Sequence, residues 1–484
     1  MISIDDAYVD AAAPNVEASK NGRALILKGK FKKLCISPDE TLLFGECQGS
    51  GAKPYQCSSD FLRAESPTHR CSCPSRQFPC KHCLALMYAF AQKKGFATAE
   101  IPADLAEKRD KLQVRVEKKK EEQTKPRQVD KNALAKKIKA QLAGLDLLET
   151  LTHDLVRMGM GNTNAKTAKQ IEEQAKQLGN AYLPGAQAAL HSYTKLFAGD
   201  EGKFDSDVPA IKREAIYSEA LDQLTRLHTL VKQGRAYLTR RLEDPELPPE
   251  TESAIAAWLG HAWQLRELRD AKLVETDVEL VQLAFNSYDD VARGEYVDTG
   301  IWMNLDTGRI QLTQNFRPYK AAKYIKSDDS FFQIAQVKEL CVYPGNVNPR
   351  IRWEEMTPRP LEKKDFARIG QHAHSDVAAL VKEVKNQIKG PLSDKRPVYA
   401  INYARIGKVG NDLVLEDARQ ERLVMTERGM MEEPPSCSLF YLLPKSLFAK
   451  QTLVARFHHD LDTRQLRIKP LGIVTDEAIV RLTY

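Results

Sequence analysis

The sequence has 484 residues, of which 42% are hydrophobic and 28% are charged, close to the averages of globular proteins. A chain of this length is too long to fold around one hydrophobic core, so we expect two or three domains. The composition argues against a wholly disordered protein. The 72 basic and 65 acidic side chains give a formal net charge of +7, a mild excess that does not by itself indicate a nucleic-acid partner.

Targeting signals and the cysteine pattern indicate where the protein acts. No apolar run approaches the roughly 20 residues that span a bilayer, and the chain starts with acidic residues where a secretory signal is basic. We therefore expect a cytoplasmic protein with no membrane contact. Seven of the nine cysteines lie between Cys35 and Cys83. In a reducing compartment such clustering indicates a metal site rather than disulfides.

The N-terminal part reads as a small β module. Residues 24–57 alternate short apolar runs with turn residues, which predicts two or three short strands, the first at Ala24–Leu27. Helical spacing then predicts a helix from Cys83 to Lys94. We assign residues 1–98 to this module and residues 99–130, rich in Lys, Arg, Glu and Gln, to a charged linker.

The middle of the chain has helical patterning. Large aliphatic residues recur at helical spacing from Leu134 to Leu155, and further helical stretches are predicted up to Asp290. Pro and Gly residues separate several of these stretches. We assign residues 131–292 to an α-helical domain.

The last third is β-rich. Apolar residues alternate on both sides of Asp306-Thr307-Gly308, which predicts a hairpin, and further alternating runs predict strands up to Ile473. One helix is predicted near Ser375–Ile388, with Ser375 as its N-cap. We assign residues 293–484 to a β-rich domain, and the whole chain to the α+β class with several domains.

One constellation has a clear chemical meaning. Cys71-x-Cys73, six residues and Cys80-x-His82 place four donors within twelve positions, the number and type that tetrahedral Zn²⁺ prefers. Alternate residues of an extended segment point the same way, so both sulfurs of the first pair can reach one ion. Four protein ligands leave no open coordination position, which indicates one structural zinc rather than a catalytic one.

Three neighbouring residues are alternative ligands. Cys83 adjoins His82, while Cys57 and His69 lie close in sequence, and any of them has the chemistry to replace a named ligand. For Cys83 we favour a place in the small core.

This arrangement resembles the SWIM zinc finger. The family pattern is Cys-x-Cys-xn-Cys-x-His, here preceded by a predicted strand at Pro54–Cys57 and followed by a helix, and the resemblance covers residues 53–92. A weaker resemblance to long bacterial SWIM proteins extends to the segments that begin at Leu43, Gly144 and Tyr182. The family implies zinc binding and contacts with DNA or proteins. Bacterial members are often encoded beside MoxR-type AAA ATPases and von Willebrand A domain proteins, which are therefore candidate partners.

The sequence favours a binding protein over an enzyme. No nucleophile elbow or dinucleotide loop is evident, and His372, His374, His458 and His459 are interpreted as surface or capping residues.

We expect a protein-interaction adaptor. The alternative is a nucleic-acid-binding protein that uses the basic residues Arg70, Arg76 and Lys81 beside the finger, which otherwise offset the negative charge of a zinc–thiolate centre. A further alternative is an enzyme with an unrecognised active site in the C-terminal region.

Overall fold

A computed structural model gives the fold. It describes residues 2, 4–49, 53–62, 67–75, 79–110, 130–197, 210–427, 434–461 and 463–483. The chain divides into two compact units, Met1–Pro126 and Arg127–Tyr484. Among the described helices, none combines the length and the apolar content that crossing a membrane would require. The α+β class is confirmed, whereas the predicted domain borders at residues 98, 130 and 292 stay a prediction.

The first unit contains a five-stranded sheet. Its strands are β1 Phe31–Ile36, β2 Leu42–Cys47, β3 Tyr55–Asp60, β4 Thr68–Cys71 and β5 Ala97–Thr98. Their order in the sheet is β4-β3-β2-β1-β5. Neighbouring strands from β1 to β4 pair antiparallel, and β5 pairs parallel to β1. Helices α1 Asp6–Ala12, α2 Val16–Leu27 and α3 Lys81–Ala91 also belong to this unit.

Short polar side chains begin the two N-terminal helices. Asp5 accepts a hydrogen bond from the backbone N–H of Tyr8, and Asn15 accepts one from Ala18. These bonds satisfy N–H groups that have no partner within the first helical turn. The strand predicted at Ala24–Leu27 is therefore wrong, because a short apolar run fits either a strand or a helix and here it lies at the end of a capped helix.

The core of the first unit forms around α3. All residues from His82 to Ala89 are buried, and the apolar ones pack with Val9, Leu43 and Phe61. The prediction of a helix after the cysteine cluster is confirmed, and the helix begins two residues earlier than expected. The strand predicted at Pro54–Cys57 is confirmed as β3.

A helical segment at residues 103–110 also belongs to the first unit. Its Arg109 is only 7% exposed and lies 3.2 Å from a carboxylate oxygen of Asp60 and 3.2 Å from one of Asp39. The linker predicted at residues 99–130 thus begins with a helical segment that contacts the β module, and its residues 111–129 lie outside the described part of the chain.

The second unit begins with helices. They are α4 Lys131–Met158, α5 Ala165–Asn180, α6 Pro184–Lys195, α7 Ala210–Glu243, α8 Ile255–Trp258 and α9 Leu265–Asp270. Two further helices, α10 Lys363–His372 and α11 Val377–Lys389, follow later in the chain. The aliphatic residues predicted on one face of the first helix, among them Ile138, Leu145 and Leu155, are buried in a common core with residues of α5, α6 and α7. The helical middle of the chain is confirmed.

Two antiparallel sheets follow in the same unit. The first has the order β10-β9-β6-β7-β8, with β11 paired to β9, and the second has the order β14-β13-β12-β15-β16-β17. The strands of the first are β6 Val274–Asp290, β7 Glu295–Asn304, β8 Ile310–Pro318, β9 Ile334–Val342, β10 Ile351–Arg352 and β11 Thr357–Arg359. Those of the second are β12 Val398–Val409, β13 Asp412–Glu416, β14 Arg422–Val424, β15 Ala449–Asp460, β16 Gln465–Val474 and β17 Ile479–Arg481.

Two local predictions in this unit are corrected. The helical pattern predicted up to Asp290 ends at Asp270, and Val274–Asp290 is the long strand β6. Its residues Leu280–Phe285 are all buried and, except for Gln282, apolar, and a run of this kind does not distinguish a buried strand from a buried helix. The N-cap of α11 is Asp376, which accepts from the N–H of Ala379, rather than Ser375.

The predicted hairpin is confirmed as β7 and β8. Asn304 accepts hydrogen bonds from the N–H groups of Asp306 and Thr307, and Gly308 has a φ of +71°. Glycine is suited to this left-handed conformation, since other residues adopt it with strain.

Candidate metal centre

The candidate ligands lie where a strand, a turn and a helix of the first unit meet. Cys71 is the last residue of β4, and the backbone pairs it with Cys57 of β3. Cys80 directly precedes α3, and His82 lies in the first turn of that helix. Strand pairing and helix start thus fix three of the four residues in space.

A pair of hydrogen bonds holds the turn between Cys71 and Cys73. The backbone N–H of Ser72 donates to the carbonyl of Gln56 at 2.9 Å, and the N–H of Gln56 donates to the Ser72 hydroxyl at 3.0 Å. These bonds tie the Cys-x-Cys turn to the neighbouring strand. Sequence reasoning missed this anchor, because it depends on the pairing of β3 with β4.

The structure brings the four predicted residues together. One ligand atom each from Cys71, Cys73, Cys80 and His82 lies within 4.8 Å of all the others. The Nδ1 atom of His82 is 3.7 Å from the Cys71 sulfur and 3.9 Å from the Cys80 sulfur. Cys80 and His82 are buried, with 2% and 3% of their surface exposed.

These distances fit the geometry of a zinc site. Bonds of about 2.3 Å to sulfur and about 2.1 Å to nitrogen in a tetrahedron place neighbouring ligand atoms roughly 3.4–3.8 Å apart. Of the two separations of His82 Nδ1 from sulfur, 3.7 Å lies within this range and 3.9 Å lies just above it. The three thiols and one imidazole therefore form a donor set that is compatible with zinc.

Hydrogen bonding inside the cluster shifts the pKa values of its thiols in opposite directions. The contact between the Cys71 and Cys80 sulfurs lowers the pKa of Cys80 below the usual range of a thiol and raises the pKa of Cys71. Burial raises the pKa of Cys73. A bound Zn²⁺ would require all three thiols to lose their protons.

The three alternative ligands have other contacts. The Cys57 thiol donates to the carbonyl of Gly45 at 3.5 Å, and His69 Nδ1 lies 3.0 Å from the Ser59 hydroxyl. The Cys83 sulfur is 3.7 Å from that of Cys80, yet its thiol donates to the carbonyl of Arg70 at 3.3 Å. Cys83 is completely buried in the core, as favoured from the sequence.

Aromatic and basic residues border the cluster. The ring of Tyr55 packs against that of His82, with 4.9 Å between the centroids. Lys81 is exposed and Arg70 is partly buried, whereas Arg76 lies outside the described residues.

The remaining histidine pairs do not form a second centre. His372 contacts the carbonyl of Leu305 through Nε2 at 2.9 Å, and His374 packs edge-on against Tyr399. His458 and His459 are successive residues of β15. In the part of the chain that the structure describes, the only cluster of at least three Cys, His, Asp or Glu ligands is the one at Cys71–His82.

Comparison with known proteins supports the same assignment. The family known as the SWIM zinc finger matches residues 63–91, which include all four clustered residues. No curated protein and no solved structure matches the chain. The resemblance inferred from the cysteine and histidine spacing is therefore confirmed for the finger.

Proposed function

We propose that the chain, whose residues 63–91 match the SWIM zinc finger family, is a non-catalytic protein-interaction adaptor with one structural Zn²⁺. The observation that carries the proposal is the gathering of four ligand atoms within 4.8 Å of one another. Four protein ligands fill a tetrahedral zinc site and leave no position for a substrate or an activated water.

The position of the cluster supports a structural role. The ligands come from β4, from the turn after it and from the start of α3, so one ion would cross-link the sheet to the helix that fills the core. Metal binding of this kind contributes to folding because the unfolded chain has no preformed site.

Exposed apolar side chains in the second unit support a protein partner. Tyr441 and Leu442 are 73% and 80% exposed, and Tyr441 lines a cleft of about 790 Å³. Met425, Phe440 and Phe448 also line the cleft, and Lys408 lies over the Tyr441 ring at 4.6 Å. Exposed aromatic and aliphatic side chains beside a partly apolar cleft are typical of protein contacts.

One observation favours nucleic acid as a second candidate. Arg70 and Lys81 each directly precede a residue of the cluster, and basic side chains of this kind bind phosphate groups. Two cations make a small basic surface, and we therefore rank the adaptor first.

Co-purification separates the two candidates. The full chain is recovered from cells with nuclease treatment and moderate salt, and bound proteins are identified by mass spectrometry. We expect a specific protein that is lost from a Tyr441→Ala/Leu442→Ser variant and kept by Tyr324→Ala, a matched control for an exposed tyrosine.

Two results would contradict the adaptor. One is recovery of nucleic acid alone, with an affinity that falls steeply as salt rises and is lost in Arg70→Glu/Lys81→Glu, which supports the second candidate. The other is the absence of any specific partner from the wild-type chain.

A further inference from the structure

The second unit contains a cavity of about 410 Å³ that is lined by residues of α7 and of the strands β6 to β8, among others. One wall is a face of the sheet that contains β6, β7 and β8. On this face Asn286 of β6, Thr299 of β7 and Gln314 of β8 lie opposite one another in register. Residues directly opposite in paired strands present their side chains on the same face. A row of three polar side chains therefore forms this wall.

Two residues of this row are buried without partners. Asn286 and Thr299 are each 7% exposed, and neither Asn286 Oδ1 nor Thr299 Oγ1 has a hydrogen-bond partner among the described residues. Buried polar atoms in folded proteins nearly always have a partner, because leaving one unpaired costs stability. These atoms are free to form hydrogen bonds with a ligand or with water in the cavity.

The opposite wall offers donors and acceptors of its own. It includes Gln223 and Arg226 of α7, whose Oε1 and Nε atoms are likewise buried and unpartnered in the described part of the chain. The Arg226 guanidinium lies over the Trp258 ring, with 5.1 Å to its centroid. This contact holds the guanidinium in place but leaves its Nε–H unsatisfied.

Cations slightly outnumber carboxylates around the cavity. Four cations line it, Arg226, Lys395, Arg396 and Arg456, against the three carboxylates of Glu219, Asp222 and Asp394. Arg396 lies 3.8 Å from Glu219, and the Lys395 ammonium donates to the carbonyl of Ile388 at 2.6 Å. Burial lowers the pKa of Arg226 and of Lys395 although Asp222 raises both, so a further negative charge beside them would favour their charged forms.

We propose that this cavity binds a small hydroxylated anion of the sugar-phosphate class. The negative group would be bound by Arg226 and its neighbouring cations, and hydroxyl groups would pair with Asn286, Thr299 and Gln223. The volume of about 410 Å³ lies within the usual range for small-ligand sites. The inference is independent of the zinc finger and of the adaptor role.

Thermal denaturation and isothermal titration calorimetry of the full chain test the site. The probes are ribose 5-phosphate, glucose 6-phosphate and adenosine monophosphate, with free ribose and inorganic phosphate as partial ligands. We expect at least one of the three phosphorylated probes to raise the melting temperature. Both partial ligands should bind at least about tenfold more weakly than that probe. A loss of one hydrogen bond corresponds to roughly tenfold in affinity.

Two variants locate the binding. Thr299→Val removes the hydroxyl and keeps the shape, so it should weaken the probe by about tenfold while the ligand-free melting temperature stays the same or rises. Arg226→Met should weaken it by about tenfold to a hundredfold, since a charged partner is lost. Thr313→Val is the matched control, because Thr313 lies on β8 outside the cavity lining and accepts from Trp302 Nε1.

Two outcomes would overturn the proposal. If none of the three phosphorylated probes binds, the cavity holds water only. If a probe binds with equal affinity to wild type, Thr299→Val and Arg226→Met, it binds elsewhere on the protein.

Discussion

The first unit has one core around a single helix, and its Cys/His cluster lies at the edge of that core. The second unit has several cores of aliphatic and aromatic side chains. A small module buries a smaller share of its surface and gains more from a cross-link than a large one. The comparison therefore predicts that metal removal affects the two units very differently.

The largest effect is expected from loss of a metal ligand. Cys80→Ala should abolish zinc binding and unfold the finger, because the binding free energy of structural zinc is about 10–16 kcal/mol and acts as folding free energy. Hydrogen exchange followed by mass spectrometry should show loss of protection in α3 and no change in β6 or β7.

Cys35→Ala is the matched control for that variant. Cys35 lies on β1 of the same sheet, is partly buried and stands outside the metal cluster. It should retain zinc and protection. Retention of both by Cys80→Ala as well would show that the first unit does not depend on the metal.

The sequence predicted the metal cluster better than it predicted the elements around it. Ligand type and spacing are local properties, so Cys71, Cys73, Cys80 and His82 could be selected without knowing the fold. The hydrogen bond from Ser72 to Gln56 could not be predicted from the sequence, because it depends on which strands pair. For the same reason no pattern indicated that Asn286 and Thr299 face one cavity.

Secondary structure in the second unit was likewise predicted only where it follows from local sequence. Amphipathic spacing identified the helices from α4 to α7, since each keeps one face in a common core. The strand β6 was missed because its buried centre at Leu280–Phe285 has no alternation. Its side chains pack into two different cores, Val281 and Leu283 in one and Leu280 in the other, so both faces are covered.

A second prediction concerns the buried ion pairs. Asp298 is fully buried, and Arg317 donates to both of its carboxylate oxygens, at 2.7 and 2.9 Å. Removing one partner leaves a poorly solvated charge, so Asp298→Ala should lower the free energy of unfolding of the second unit by about 3–5 kcal/mol. All four tryptophans lie in this unit, so tryptophan fluorescence during urea denaturation reports on it alone.

The control for the buried pair is an exposed one. Lys363 and Glu477 lie 3.8 Å apart with both side chains largely in solvent, so Glu477→Ala should cost less than about 1 kcal/mol. Equal effects of the two variants would mean that the buried pair contributes no more than a surface contact.

The third and smallest effect is a pH dependence of the second unit. A hydrogen bond from Arg359, with another from Arg368, lowers the pKa of Glu279 to about 2. A carboxylate with a depressed pKa stabilises the fold above the pKa of the unfolded chain, and this contribution is lost as pH falls toward the folded value. Stability should therefore decline from about pH 5 to pH 2, by on the order of 3 kcal/mol from this group.

Glu279→Gln tests that assignment. The variant should be less stable at neutral pH and should lose stability less steeply under acid, as measured by tryptophan fluorescence at fixed urea concentrations. An unchanged acid slope would show that other groups account for the pH dependence.

The most direct test of the account is elemental analysis of the purified full chain together with a chelator titration. We predict one zinc per chain, and we predict that a strong chelator removes it with loss of hydrogen-exchange protection in α3 while tryptophan fluorescence of the second unit stays unchanged. A chain that contains no stoichiometric zinc, or that keeps α3 fully protected after the metal is removed, would contradict the central claim.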